Sequence, residues 1–297
     1  MIECVPNVSE GKDFAVLDAF AEAVASAGCR VLDLHLDPDH NRSVLTFVGE
    51  EDALYEGVLA LARAAVDRID LRAQRGVHPR MGAVDVVPFV PLEGATMSDC
   101  VRLARRVGRA FGEELGIPVF LYEAAATSKA RRNLAALRKG QFEGLASKLT
   151  RPEWAPDFGP RRPHPTAGVT AVGARRFLVA YNVVLETDDL AVARQIAGAI
   201  RETGGGMQGV KALGLALASR GLVQVSMNLT DIEATDLPAA YERVEREAAS
   251  RGVPVIESEI VGLVPRAAIG GATAEALRLD GDLESVVLEN RLASPSR

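Results

Sequence analysis

Arg75-Gly76-Val77-His78-Pro79-Arg80-Met81-Gly82 runs directly into Ala83-Val84-Asp85-Val86-Val87-Pro88-Phe89-Val90-Pro91. The first stretch reads as a tight, irregular loop and the second as a buried strand. Gly76 and Gly82 permit backbone angles that other residues avoid, and Pro79 fixes its own φ. The loop carries one imidazole, His78, and two guanidinium groups, Arg75 and Arg80. A stiff loop holding a titratable ring near two permanent cations suits proton transfer on an anionic substrate. It suits a surface loop with a solvated histidine equally well, and these residues alone leave both readings open.

Upstream, residues 2–8 read as a strand and Asp13 as the cap of a helix over 14–26. Strands over 30–36 and 42–48 flank the turn Asp37-Pro38-Asp39-His40-Asn41. A second helix covers 52–69, so residues 1–91 spell β-α-β-β-α-β. Downstream come a helix over 97–115, a strand over 118–122 and a basic helix over 128–139. Residues 151–165 hold five prolines and the single tryptophan, Trp154. That segment is neither helix nor central strand; it is a linker or a ligand loop.

Beyond Gly168 the pattern begins again. A strand over 176–185, a helix over 189–202, a strand pair over 210–217 and 223–229, a helix over 238–250 and a strand over 253–263 repeat β-α-β-β-α-β. Val5-Pro6-Asn7-Val8 matches Ala180-Tyr181-Asn182-Val183, and the strand at Asp85 matches the one at Glu259. An Arg-Gly-Val tripeptide lies upstream in both halves, at Arg75 and at Arg251. The chain therefore reads as an internal duplication. The expected fold is α/β (α+β): two similar subdomains, 1–172 and 173–297, with mixed sheets and helices on the outer faces. The stretch 70–83, with His78, has no counterpart in the second half. Insertions on a repeated scaffold are where function tends to sit.

The 297 residues suffice for two domains of ordinary size. A net charge of −6 argues against nucleic acid or an anionic membrane as partner, so an anionic substrate needs a local basic pocket. Cys4, Cys29 and Cys100 are odd in number and form no Cys-x-x-Cys. They read as reduced thiols in a cytoplasmic protein rather than a disulfide frame or zinc site. The N-terminus has no secretory pattern, and the longest apolar runs are strand length.

Four motifs carry a family resemblance: Glu3-Cys4-Val5-Pro6-Asn7-x-Ser9-Glu10-Gly11-Lys12, Asn41-Arg42-x-Val44-x-Thr46-Phe47-Val48-Gly49, His78-Pro79-Arg80-Met81-Gly82-Ala83-x-Asp85-Val86 and Trp154-Ala155-Pro156-Asp157-Phe158-Gly159-Pro160. In this order and spacing they resemble the glutamate formimidoyltransferase family, the transferase half of the animal formimidoyltransferase-cyclodeaminases. The resemblance runs nearly the whole chain, which looks like a stand-alone transferase without a deaminase domain. It implies transfer of a formimidoyl group from N-formimidoyl-L-glutamate to N5 of tetrahydrofolate, in histidine breakdown. Tetrahydrofolate is then a co-substrate lying in a cleft between the two subdomains, no metal is needed, and the protein is a homodimer.

The same resemblance puts the family's catalytic histidine on His78. It puts the folate-binding stretch on Gly159, Pro160, Arg161, Arg162, Pro163, His164, Pro165, Thr166, Ala167 and Gly168. There Arg161-Arg162-Pro163-His164 departs from the animal pattern. The chemistry agrees with an imidazole. Attack on the donor amidine gives a tetrahedral intermediate, N5 must lose a proton, and the glutamate nitrogen must gain one. A ring of unperturbed pKa about 6.5 serves both. Both substrates carry carboxylates, for which Arg42, Arg80, Arg161 and Arg162 are candidates; each also reads as a solvated or structural side chain, the better reading for Arg162. Asp85 either orients His78 or bonds to backbone.

His35, Asp37, Asp39 and His40 resemble metal ligands in type but read better as a polar hairpin. In the animal members an acidic residue stands where His35 falls, which implies a polar, substrate-facing position. Gly204-Gly205-Gly206-Met207-Gln208-Gly209 lacks the Lys-Ser/Thr of a phosphate-binding loop and reads as a flexible turn. Two other functions fit the sequence: a transferase using N-formylglutamate, and a non-catalytic folate-binding protein.

Overall fold

The computed structural model describes residues 1–294. The chain forms two compact units, Met1–Arg176 and Phe177–Arg297.

In the first unit the N-terminal strand is interrupted at Val5-Pro6 into β1 (Ile2–Cys4) and β2 (Asn7–Val8), because proline has no N–H to give a ladder. Helix α1 (Phe14–Ser26) is capped by Asp13, whose carboxylate accepts from the Ala15 and Val16 amides. A hairpin of β3 (Arg30–Asp37) and β4 (Arg42–Gly49) leads to α2 (Glu51–Arg68) and then β5 (Val84–Pro91). Helix α3 (Met97–Glu114) opens with a reciprocal cap between Thr96 and Asp99. Then come β6 (Val119–Glu123), the short helix α4 (Leu134–Arg138), α5 (Gln141–Thr150) and β7 (Thr170–Ala174).

The sheet runs β3, β4, β1 with β2, β5, β7, β6. Its first four members pair antiparallel; β5, β7 and β6 pair parallel. Strands alternate faces, so Leu45 and Phe47 of β4 pack with Phe20 of α1 and Leu61 of α2, while Arg42, Val44 and Thr46 share the opposite face. At the parallel end that opposite face is covered by α4 and α5, through Leu137, Leu145 and Leu149 against Met81, Phe120 and Val169.

The second unit consists of β8 (Val179–Leu185), α6 (Leu190–Ile200), β9 (Val210–Leu217), β10 (Leu222–Leu229), α7 (Leu237–Ala249), β11 (Val255–Val261) and the short α8 (Leu288–Ala293). Its strand order, β11, β8, β10, β9, repeats the order β5, β1 with β2, β4, β3 of the first unit, the split β-α-β arrangement. Asn7 lies opposite Val44 and Val86, and Asn182 opposite Ser226 and Glu259. The equivalent of Glu259 is therefore Val86; a bulge in β5 moves Asp85 one place out of the expected alignment.

Other expectations need correcting. The second sheet is wholly antiparallel, not mixed, since it lacks the β5–β7–β6 extension. The basic helix over 128–139 is a single 3₁₀ turn, Lys129–Arg131, followed by the five residues of α4. Asn133 restarts the backbone by capping α4. Pro152 opens a one-turn 3₁₀ helix, Pro152–Trp154, which proline permits at a first position. Among the described residues no helix is long and apolar enough to cross a membrane, and no group of three or more His, Cys, Asp or Glu is placed to hold a metal ion.

Candidate active site

The stretch between α2 and β5 is irregular, yet its backbone is bonded on three sides. Toward the β3–β4 hairpin, the Val77 amide donates to the Asp39 carbonyl at 3.3 Å and Asn41 Nδ2 to the Arg75 carbonyl at 2.8 Å. Gln74 Nε2 donates to the Asn41 carbonyl at 2.8 Å. Gly76 lies so close to the hairpin that a Cβ there would stand 2.0 Å from the His40 carbonyl oxygen. Toward the N-terminal motif, buried Ser9 Oγ donates to the Gly82 carbonyl at 2.7 Å. Asn41 Oδ1 accepts from the Gly11 amide at 3.1 Å, so the first two motifs of the sequence meet the third.

The third side is the proline-rich segment. Its first part is an anchor. Asp157 accepts from the Leu121 amide at 2.8 Å and from the Thr127 hydroxyl, and pairs with Arg131 at 3.1 Å. Trp154 packs edge-on against Phe120 and lies 4.1 Å beneath the Lys148 ammonium. The far end, Thr166-Ala167-Gly168, runs alongside the His78 loop. The Leu71 amide donates to Thr166 O and the Ala83 amide to Ala167 O, both at 2.9 Å, and the Val169 amide to Met81 O at 3.0 Å. His164 and Gly168 exchange backbone hydrogen bonds, and His164 Nδ1 accepts from the Ala167 amide at 3.0 Å. Arg161 and Arg162 are exposed and make no ion pair among the described residues. Gly168 has φ +70°, and a Cβ on it would stand 2.1 Å from Met81 O. Gly168→Ala is expected to cost about 1–3 kcal/mol of stability through backbone strain, checked by chemical denaturation.

The half-buried His78 ring faces a cluster of charge. Arg42 Nη1 stands 2.9 Å from Nδ1 and touches Nε2 as well. The His40 ring lies 5.5 Å away, centroid to centroid, tilted by 49°. Burial, then Arg42, Arg138 and His40 in that order, push the His78 pKa well below its ordinary value, so the ring is a neutral base. Arg42 Nε is buried with no hydrogen-bond partner, and Arg42 has no ion pair among the described residues. Burial and Arg138 pull its pKa down to about 9, with Asp85 and Asp37 opposing. A guanidinium with so little compensation is an invitation to an anion.

Arg80 is a different case. It is 7% exposed, and all its nitrogens donate within the protein: Nε to Gln74, Nη1 and Nη2 to Glu143 at 2.9 and 2.8 Å, and Nη2 also to backbone carbonyls of Leu71 and Gln74. It staples the loop to α5, buried and already paired with Glu143, which leaves it little to offer a substrate carboxylate. Asp85 likewise does not reach His78. Its carboxylate accepts from the Met81 and Gly82 amides at 2.7 and 3.1 Å and from Arg138 Nε and Nη2 at 2.9 and 2.6 Å. Of the two readings of Asp85, backbone bonding is the one observed.

The β3–β4 hairpin thus brings Arg42 and His40 with Asp37 to His78, and α4 brings Arg138, held by Asp85. Arg138 and His40 were not among the expected site residues. His40 had a visible signal in the Asp/His-rich turn; Arg138 had none, lying 53 positions from the carboxylate it grips.

Residues 1–175 match the formiminotransferase domain, N-terminal subdomain, and residues 180–282 match the formiminotransferase domain. The chain is 46% identical to the glutamate formimidoyltransferase of Streptococcus pyogenes serotype M1, over 98% of each chain. It is 46% identical to that of Thermoplasma acidophilum, over 98% of this chain and 97% of the other. It is 47% identical to the formimidoyltransferase-cyclodeaminase of Sus scrofa over 92% of this chain, matching 52% of that longer protein.

Proposed function

Because the chain belongs to the formiminotransferase family, we propose that it moves a formimidoyl group from N-formimidoyl-L-glutamate to N5 of tetrahydrofolate, with His78 carrying the proton. The products are 5-formimidoyltetrahydrofolate and L-glutamate. N5 attacks the amidine carbon, forming the new C–N bond while His78 takes the N5 proton. The tetrahedral intermediate then breaks its bond to the glutamate nitrogen as His78 returns that proton to it. One imidazole serves both steps, and no covalent enzyme intermediate is required. The remaining acceleration comes from aligning two bound substrates.

The observation that carries this reading is the neutral, half-buried His78 ring with the guanidinium of Arg42 against it. A substrate carboxylate relieves the poorly compensated charge of Arg42 and draws it off the ring, leaving the ring nitrogen open to N5. Tetrahydrofolate is a co-substrate held along Gly159 to Gly168, whose far end is bonded to the His78 loop. Arg161 and Arg162, exposed on that loop, meet its carboxylates, and Arg80 is given no such role. We further propose that it works as a cytoplasmic homodimer.

The test is an assay with both donors. Formimidoylglutamate and tetrahydrofolate are expected to give 5-formimidoyltetrahydrofolate. Turnover with N-formylglutamate alone would replace this donor by the other. Folate binding without turnover of either would leave a binding protein.

A further inference from the structure

Beside the ring that this reading puts to work stands a second one with a carboxylate of its own. His40 is only 7% exposed, at the turn end of the β3–β4 hairpin. Its Nδ1 lies 2.7 Å from Asp37 Oδ2, and its backbone amide donates to Asp37 Oδ1 at 2.8 Å. One carboxylate thus holds both the ring and the main chain of His40. Asp37 has its pKa lowered; burial works against this, but the hydrogen bonds and charge of His40, with His35 adding to them, outweigh it. The turn is pinned to the His78 loop by Val77, Asn41 and Gln74, and by the close approach of Gly76 to the His40 carbonyl. The two rings are therefore held at 5.5 Å by the fold itself.

We infer that Asp37 and His40 are positioning residues for His78: Asp37 fixes the His40 ring, and His40 fixes the resting face and charge state of the ring that moves the proton. This rests on the reading of His78 given above. The charged groups that face His78 are Arg42 from β4, Arg138 from α4 and His40 from the hairpin, with Asp37 behind His40 and Asp85 behind Arg138. Arg42 and Arg138 both oppose a proton on His78, Arg42 more strongly. His40, the third, also holds the His78 pKa down. At 5.5 Å, positive charge on the His40 ring opposes protonation of His78. Asp37 holds the His40 ring in that place, and His78 is left as the base.

His40→Asn tests this directly. Asparagine can still donate to Asp37, but it does not titrate. The acid limb of kcat/KM is expected to move to higher pH by about 0.5–2 units, the range set by one unit charge at this separation in water-like and protein-like surroundings. The His78 ring signals in NMR should follow by the same amount. An unmoved limb with unmoved His78 signals would overturn the inference and leave the pair as hairpin structure. Should His40→Asn fail to fold, His40→Gln is read in the same two ways, and an unmoved limb with unmoved His78 signals there refutes the inference. His78→Ala in parallel separates the two levels. Full turnover in that variant sinks the role of His78 itself, whatever His40 does.

Discussion

His78→Ala is expected to lower kcat by about 10²–10⁴-fold, the usual worth of a positioned general acid–base group, while folate binding changes little. The argument rests on where the side chain stands. Its loop is held through backbone groups and through Ser9, Asn41, Gln74, Arg80 and Asp85, none of which uses the His78 ring. Truncation therefore removes a proton carrier and leaves the loop and the adjoining Thr166–Gly168 backbone in place. The pH dependence has a definite sign. Burial and the neighbouring cations lower the His78 pKa, so the ring stays a competent base below the ordinary value of about 6.5. The acid limb of the wild-type rate should lie below that value. Stability follows the same linkage. As pH falls below about 6.5 the unfolded chain takes up a proton on His78 first, and stability is lost until the folded-state pKa is reached. Single-turnover kinetics on the variant, with folate binding measured separately, checks the claim; turnover within a few fold of wild type would refute it.

Much of this arrangement is legible in the chain, for identifiable reasons. The repeated β-α-β-β-α-β pattern is carried by long amphipathic helices and by strands open on one face, and both leave a period in the sequence. The singularity of 70–83 shows because the twin half passes from α7 to β11 with only five residues between. What is not legible falls into two kinds. Strand β7, Thr170-Ala171-Val172-Gly173-Ala174, is buried on both faces between β5 and β6, so it has no alternation to detect. Its Gly173 lies beneath the Tyr122 ring, where a side chain would collide. Helix α5 is short and carries Gly144, which weakens any local helical signal. The second kind is tertiary. That Arg80 would be spent on Glu143, that Asp85 would grip Arg138, and that His40 would lie against His78 depend on how loops fold onto the sheet. Residue type marks each as functional material; only the packing says which of them is left with a charge to offer.

Asp85→Ala is expected to cost about 3–5 kcal/mol of stability, the range for removing one partner of a buried ion pair. Asp85 is 2% exposed and occupies the bulge of β5, where Asn7 pairs with Val86 but Val8 with Val84. The bulge turns its carboxylate back under the His78 loop. One oxygen takes the Met81 and Gly82 amides, and the other takes two nitrogens of Arg138. Alanine would leave two buried amides without an acceptor and strand the Arg138 guanidinium, 13% exposed, beside Arg42. Helix α4, which carries Arg138, cannot readily move away: Lys148 caps its carbonyls at Ala136, Leu137 and Lys139. The damage should therefore appear as global destabilisation together with a loosened His78 loop. Asp85→Asn separates these effects, since its carbonyl oxygen can still serve the two amides while its charge is gone. Urea denaturation at constant m-value measures the first variant. In the second, the expected signature is a fold that survives with kcat lowered, as the loop loses its grip on Arg138. A loss under about 1 kcal/mol in the alanine variant would mean that Asp85 is not the pin of the loop.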